Sequence, residues 1–140
     1  MTTQELYEFI DRHDHAVLAS VTPLHTPEAA LVGIAVTPEL ELVFDTSKNS
    51  RKYPNIRQND QVALVIGWVN ETTVQYEGEV WEPSAEMVGR YKDVYFAKFP
   101  NGRKRESWPD IAYLVVTPKW IRYSDFNHDP AQIVELRLGK

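Results

Sequence analysis

Nine consecutive residues, Phe44-Asp45-Thr46-Ser47-Lys48-Asn49-Ser50-Arg51-Lys52, leave an apolar run, cross hydroxyl and amide side chains and end on two adjacent cations. That grammar suits a phosphate. Hydroxyls and free backbone N–H groups donate hydrogen bonds, and a helix start adds partial positive charge. Arg51 brings a planar fork of donors and Lys52 a point charge. The competing reading is a polar turn that ends in a solvated basic pair.

Other groups offer less. His13 and His15 flank Asp14, a pattern able to hold a metal, but residues two apart share a face only on a strand and no third ligand is near. A polar junction between helix and strand explains them, and no metal is expected. No Ser–His–Asp arrangement stands out. The four tryptophans, Trp68, Trp81, Trp108 and Trp120, are many for this length and suit a core or a subunit interface. Arg103-Lys104-Arg105 lies in a polar stretch, either solvated or free to close over an anionic substrate.

These residues need a scaffold, and the sequence predicts one rich in strands. Thr2 and Glu5 have capping-box spacing, with Leu6, Phe9 and Ile10 as the apolar stripe of a first helix. Strands are expected over 16–21, 29–36 and 40–44, the second nearly all apolar and so covered on both faces. A short helix over 51–58, capped by Ser50, would follow the basic loop, with Pro54 awkward near its start. Strands at 62–66 and 73–81 come next, then a helix opening at Ser84. After a polar loop at 101–107, strands at 111–116, 120–123 and 133–138 complete the chain. About eight short strands with short connections predict one domain: mainly β with flanking helices, an antiparallel barrel too narrow for a lumen. A ligand would then sit outside the barrel or between subunits.

Composition narrows the class. The 140 residues are 43% hydrophobic and 25% charged, with a net charge of −5, which fits an ordinary globular domain. An acidic chain makes nucleic acid an unexpected partner. No apolar run approaches the ~20 residues of a membrane span, and the N-terminus lacks the blocks of a secretion signal, so a cytoplasmic location is expected. The absence of cysteine removes disulfides, thiol catalysis and cysteine-based metal sites.

From Ala16 to about Phe126 the chain resembles the pyridoxamine 5'-phosphate oxidase-like proteins, which are FMN-binding split barrels. The resemblance is carried by Val17-Leu18-Ala19-Ser20-Val21, the strand beginning at Pro27, Phe44-Asp45-Thr46 with Ser50-Arg51-Lys52, and Asn59-Asp60-Gln61-Val62-Ala63-Leu64. Trp68, Gly78 and Pro118-Lys119-Trp120-Ile121-Arg122-Tyr123 extend it. It implies a homodimer with one FMN in each of two grooves at the interface, and oxidoreductase activity on a small substrate. It implies that Arg51 and Lys52 hold the FMN phosphate, that Asp45, Thr46 and Ser50 contact the cofactor, and that Val32, Gly33 and Ile34 line the flavin ring. Gly33, lacking a Cβ, suits a flat ring against the backbone, or equally a bulge in a barrel strand. Thr73 falls at a flavin-contacting position and Tyr91 at a substrate-contacting one; for Trp108 or Trp120, stacking on a flavin across the dimer is the alternative to core or interface packing. Related split barrels use a deazaflavin or haem instead, and a non-catalytic flavin module is the alternative to an enzyme.

Several positions depart from the oxidase, one of them a flavin contact. The oxidase has arginine at Ala30, lysine at Ala35, glutamine at Thr73, tryptophan at Ser124 and arginine at Tyr95, and nothing in 133–140 matches its arginine-rich tail. The resemblance therefore implies a retained cofactor phosphate site and a substrate other than a B6 vitamer, since each lost charged contact removes about 1.5–3 kcal/mol.

Overall fold

A computed structural model describes residues 1–139. Helix α1 (Thr3–Asp11) begins on the predicted capping box: Thr2 Oγ1 accepts from the Glu5 N–H at 3.0 Å, and the Glu5 carboxylate accepts from the Thr2 N–H at 2.9 Å. Leu6, Phe9 and Ile10 enter the core.

Eight strands form one antiparallel sheet: β1 (His15–Val21), β2 (Pro27–Gly33), β3 (Ala35–Val36), β4 (Leu42–Ser47), β5 (Gln61–Ile66), β6 (Thr72–Trp81), β7 (Ile111–Asp125) and β8 (Gln132–Arg137). Their order is β2-β1-β5-β6-β7-β4-β3, with β8 also on β7. The sheet curls until β2 lies against β4, yet no ladder joins them. The predicted antiparallel split barrel is present, and its split is this seam. Phe44, Tyr76, Leu18, Leu64, Leu114 and Ile121 fill the interior. The Tyr76 hydroxyl, wholly buried, donates to the Leu40 carbonyl at 2.6 Å.

Three expectations change. The 29–36 run is two strands, and β2 is covered on one face only: Val32 is buried, whereas Leu31 is 62% exposed. Its apolar character is continuous, but on its outer side α3 reaches Gly33 and leaves Leu31 exposed. The separate strands at 111–116 and 120–123 are one strand, β7. Pro118 is tolerated because β7 pairs with β4 through Ile111–Val116 and with β8 through Trp120–Asp125, so Pro118 falls between the two ladders. On the other side a bulge at Glu77/Gly78 accommodates it, and a Cβ at Gly78 would meet the Thr117 carbonyl oxygen at 2.3 Å. The helix expected from Ser84 begins at Val88 (α3, Val88–Lys98) and has no side-chain cap. Ser84 contributes only its carbonyl, which accepts from the N–H groups of Met87 and Val88.

Helix α3 covers the outer face of β3, β4 and β7 through Tyr91, Tyr95 and Phe96, packed on Ala35, Val43, Tyr113 and Val115. Two carboxylates fasten it. Tyr91 donates to Glu41 at 2.9 Å and Tyr95 to Asp45 at 3.1 Å. The polar stretch after α3 is a 3-10 helix, Pro100–Arg105, that turns Arg105 inward so that its Nε donates to Asp45 at 2.8 Å.

Burial raises the phenol pKa of Tyr76, Tyr91, Tyr95, Tyr113 and Tyr123, and nearby carboxylates add to the rise. Above the ordinary phenol value of 10.0 the unfolded chain gives up these protons while the native chain keeps them. Native stability is therefore expected to fall as pH rises beyond about 10. Thermal melts from pH 8.5 to 11.5 should show a declining midpoint. Tyr95→Phe, which cannot ionise, should flatten the decline, which separates the phenol from lysines titrating in the same range.

Candidate functional site

The loop after β4 is tied down before it reaches its cations. The Ser47 hydroxyl and the Asn49 amide both donate to the Asp110 carboxylate, the Lys48 N–H donates to the Asp110 carbonyl, and the Asn49 N–H donates to Ser47 Oγ. Thr46 Oγ1 and Ser50 Oγ share a hydrogen bond of 3.0 Å. Ser50 is thus spent on the strand and does not cap the helix that follows, α2 (Lys52–Gln58), where Arg51 holds the cap position without a side-chain bond. Pro54 falls in the first turn of α2, where its missing N–H costs nothing.

This geometry sets Arg51 and Lys52 beside β1 and β2. With Leu18, Ser20, Glu28 and Ala30 they line a small pocket near the seam. The Glu28 carboxylate shares it, 3.1 Å from Arg51 Nη1. Its other oxygen accepts from Asn55 Nδ2 at 2.8 Å, and Asn55, buried in α2, also donates to Ser20 Oγ at 3.2 Å. Burial pushes the Lys52 ammonium pKa down, and the Asp45 charge partly offsets it.

The other candidates fall in different places. Val32 and Ile34 point into the core, while Gly33 faces α3: a Cβ there would lie 3.4 Å from the Phe99 ring and 3.6 Å from the Tyr95 hydroxyl. Asp45 points away from Thr46, as alternation along β4 requires, and is bound by Arg105 and Tyr95. Tyr91 is buried with its hydroxyl on Glu41. Thr73 lies on β6, separated from β2 by β1 and β5, or roughly 14 Å across the sheet. Its hydroxyl is buried without a partner. Within one chain, Thr73 and Arg51 are not neighbours.

His13, Arg103, Arg105 and Trp81 have partners or packing within the fold. His13 Nδ1 donates to the Phe9 carbonyl at 2.7 Å, and no group of three metal-ligating residues occurs among the described residues. Arg105 is committed to Asp45, and Arg103 lies over the Phe96 ring. Trp81 donates to Thr117, whereas Trp68 and Trp108 are half exposed. Two features lay beyond the sequence reading. One is Glu28, whose pairing with Arg51 depends on the packing of α2 on β1 and β2. The other is a cleft of about 550 Å³ lined by Tyr7, Asp11, Asp14 and Lys98. Lys98 donates to the His13 carbonyl there, and burial lowers its pKa against the pull of Asp11 and Asp14.

The outer face of β2, β1 and β5 is apolar. Leu31 pairs with Val17 and Val17 with Val65, a cross-strand row of three exposed aliphatic side chains. Ala29, Ala19 and Ala63 form a second row beside it. No helix of the described residues is long and apolar enough to cross a membrane.

The chain matches the profile of the family described as Pyridoxamine 5'-phosphate oxidase over residues 2–125. It is 35% identical over 92 residues to the pyridoxine/pyridoxamine 5'-phosphate oxidase of Paraburkholderia xenovorans (strain LB400), covering 65% of this chain and 41% of that one, so it spans less than half of that relative. A heme binding protein from Mycobacterium smegmatis superposes with a TM-score of 0.83 at 12% identity, covering 98% of this chain and 58% of that one. A pyridoxamine 5'-phosphate oxidase-related, FMN binding protein from Nostoc punctiforme PCC 73102 gives 0.68 at 12% identity, covering 99% and 93%. With a profile match along most of its length and this fold, the chain belongs to the pyridoxamine 5'-phosphate oxidase family.

Proposed function

We propose that this protein is a homodimeric FMN flavoprotein that acts as an oxidoreductase on a small substrate other than a B6 vitamer. The observation that carries this is the meeting of Arg51 and Lys52 in one pocket beside β2 at the split of the barrel. The donor set fits a phosphate monoester: a guanidinium fork, an ammonium and the Ser20 hydroxyl, beside the Ala30 methyl group and the Glu28 carboxylate. The FMN binding described for the Nostoc protein of the same fold supports the choice of ligand.

A shared site explains how the other residues would take part. Thr73 cannot reach the Arg51 pocket of its own chain, so a part for it in the same flavin site would require a second copy. The Leu31–Val17–Val65 row supports such a contact, since exposed aliphatic rows on a sheet are normally covered. The same contact would cover β2, whose far edge has no strand partner.

Bound FMN supplies the hydride and electron transfer. Arg51 and Lys52 would hold its phosphate, and the loop fixed by Asp110 would keep the pair in place. No B6 phosphate is expected as substrate, because Tyr95 stands where the oxidase has an arginine and donates its hydroxyl to Asp45.

Purified protein should show the two visible bands of oxidised flavin. A single band or a Soret band would indicate a deazaflavin or haem and would overturn the cofactor assignment, and reduction by a nicotinamide donor would favour an enzyme over a flavin carrier. Arg51→Ala and Lys52→Ala should each weaken FMN by about 1.5–3 kcal/mol, tenfold or more, and leave riboflavin nearly unchanged. Arg103→Ala, which removes a guanidinium that lies over the Phe96 ring, should change neither. Equal losses for both flavins would mean that the pair supports the fold without reading the phosphate.

Light scattering should give twice the 16.2 kDa chain mass, and Leu31→Arg, which sets a charge in the aliphatic row, should yield monomers that bind FMN poorly. A wild-type monomer at micromolar concentration would contradict the shared site.

A further inference from the structure

We propose that Glu28 is a built-in competitor for the phosphate at Arg51, so that the pocket admits a ligand according to whether its anionic group can displace a carboxylate. This rests on the FMN reading above and adds a specificity-determining residue to it.

The carboxylate is part of a built arrangement. Glu28 follows Pro27 on β2, opposite Ser20 of β1 in the ladder. Asn55, only 5% exposed, donates to both Glu28 and Ser20, so a buried amide holds the carboxylate at the mouth of the pocket. From there it pairs with Arg51 at 3.1 Å. The Glu28 side chain is 21% exposed and that of Arg51 75%. The carboxylate is therefore the enclosed partner, held by Asn55, and the guanidinium is the exposed one.

Charge and position then conflict with a ligand. Arg51 and Lys52 bring two positive charges, and Glu28 cancels one. A phosphate monoester carries about −1.5 to −2 near neutral pH and seeks the same guanidinium. Arg51 has donors enough for two acceptors, but a phosphate and a carboxylate on one guanidinium repel each other across a few ångströms. Phosphate binding must therefore turn Arg51 away from Glu28. A singly charged group recovers little by that exchange, whereas a dianion that also engages Lys52 recovers more. Glu28 thus raises the threshold for weak anions and keeps the cations paired between ligands. A flavin without a phosphate never meets the carboxylate.

The test is FMN and riboflavin titration of the wild type, Glu28→Gln and Glu28→Ala, followed by flavin fluorescence quenching, with inorganic phosphate as a competitor. Glutamine keeps an acceptor for Asn55, and thermal melts confirm the fold of each variant. Both variants should bind FMN roughly tenfold more tightly at low salt, with riboflavin unchanged. The gain should shrink at high salt. Inorganic phosphate should displace FMN from Glu28→Gln at lower concentrations than from the wild type. Unchanged FMN affinity in both variants would overturn the proposal, because Glu28 would then not oppose the phosphate. Weaker FMN binding in Glu28→Gln, with riboflavin unaffected, would also overturn it by making Glu28 a positioning residue for Arg51. FMN binding to neither wild type nor variants would overturn the FMN reading itself, and this proposal with it.

Discussion

The failure of β2 to pair with β4 is the constraint on which the rest of this molecule depends. Curling the sheet brings the two strands together, but the ladder stops at β2 on one side and β3 on the other. A closed barrel of this size would be a packed cylinder without a polar opening, for its interior is already filled by Phe44, Tyr76 and Leu114. The split leaves a line along which backbone edges, the β4 loop and α2 converge, and Arg51, Lys52 and Glu28 gather beside it.

Two layers of polar bonding hold that line open. On the outside, Glu41 and Asp45 fasten α3 to β4 through Tyr91, Tyr95 and Arg105. On the inside, Asp110 collects Ser47, Lys48 and Asn49, and Thr46 holds Ser50. The cations therefore project from a loop whose backbone is already bound elsewhere. Such preorganisation lowers the cost of ordering a loop around a ligand.

Local signals in the sequence were readable where their partners are local. The capping box of α1 spans three residues, and the alternation of β5 and β6 reports directly which side of each strand is buried. The Arg51–Lys52 pair, adjacent in sequence, came together in one pocket for the same reason. What depended on distant neighbours was not readable. The single strand β7 reads as two, at 111–116 and 120–123, because the change of partner from β4 to β8 is invisible in β7 alone. Ser50 looked like a cap because its bond to Thr46 requires the loop to fold back. The outer face of β2 looked buried because an apolar run cannot say whether its cover comes from its own chain. Glu28, far from Arg51 in sequence, carried no signal at all.

The central claim is that the pocket beside the split of the barrel receives a flavin phosphate in a site shared by two copies of the chain. A crystal structure of the protein grown with FMN tests this most directly. The account predicts the phosphate within about 3 Å of Arg51 and Lys52 donors, the ring along β2, and a second copy on the Leu31–Val17–Val65 face contributing Thr73 to the same flavin. FMN bound elsewhere, or held in the Arg51 pocket by a single chain with that face in solvent, would contradict it.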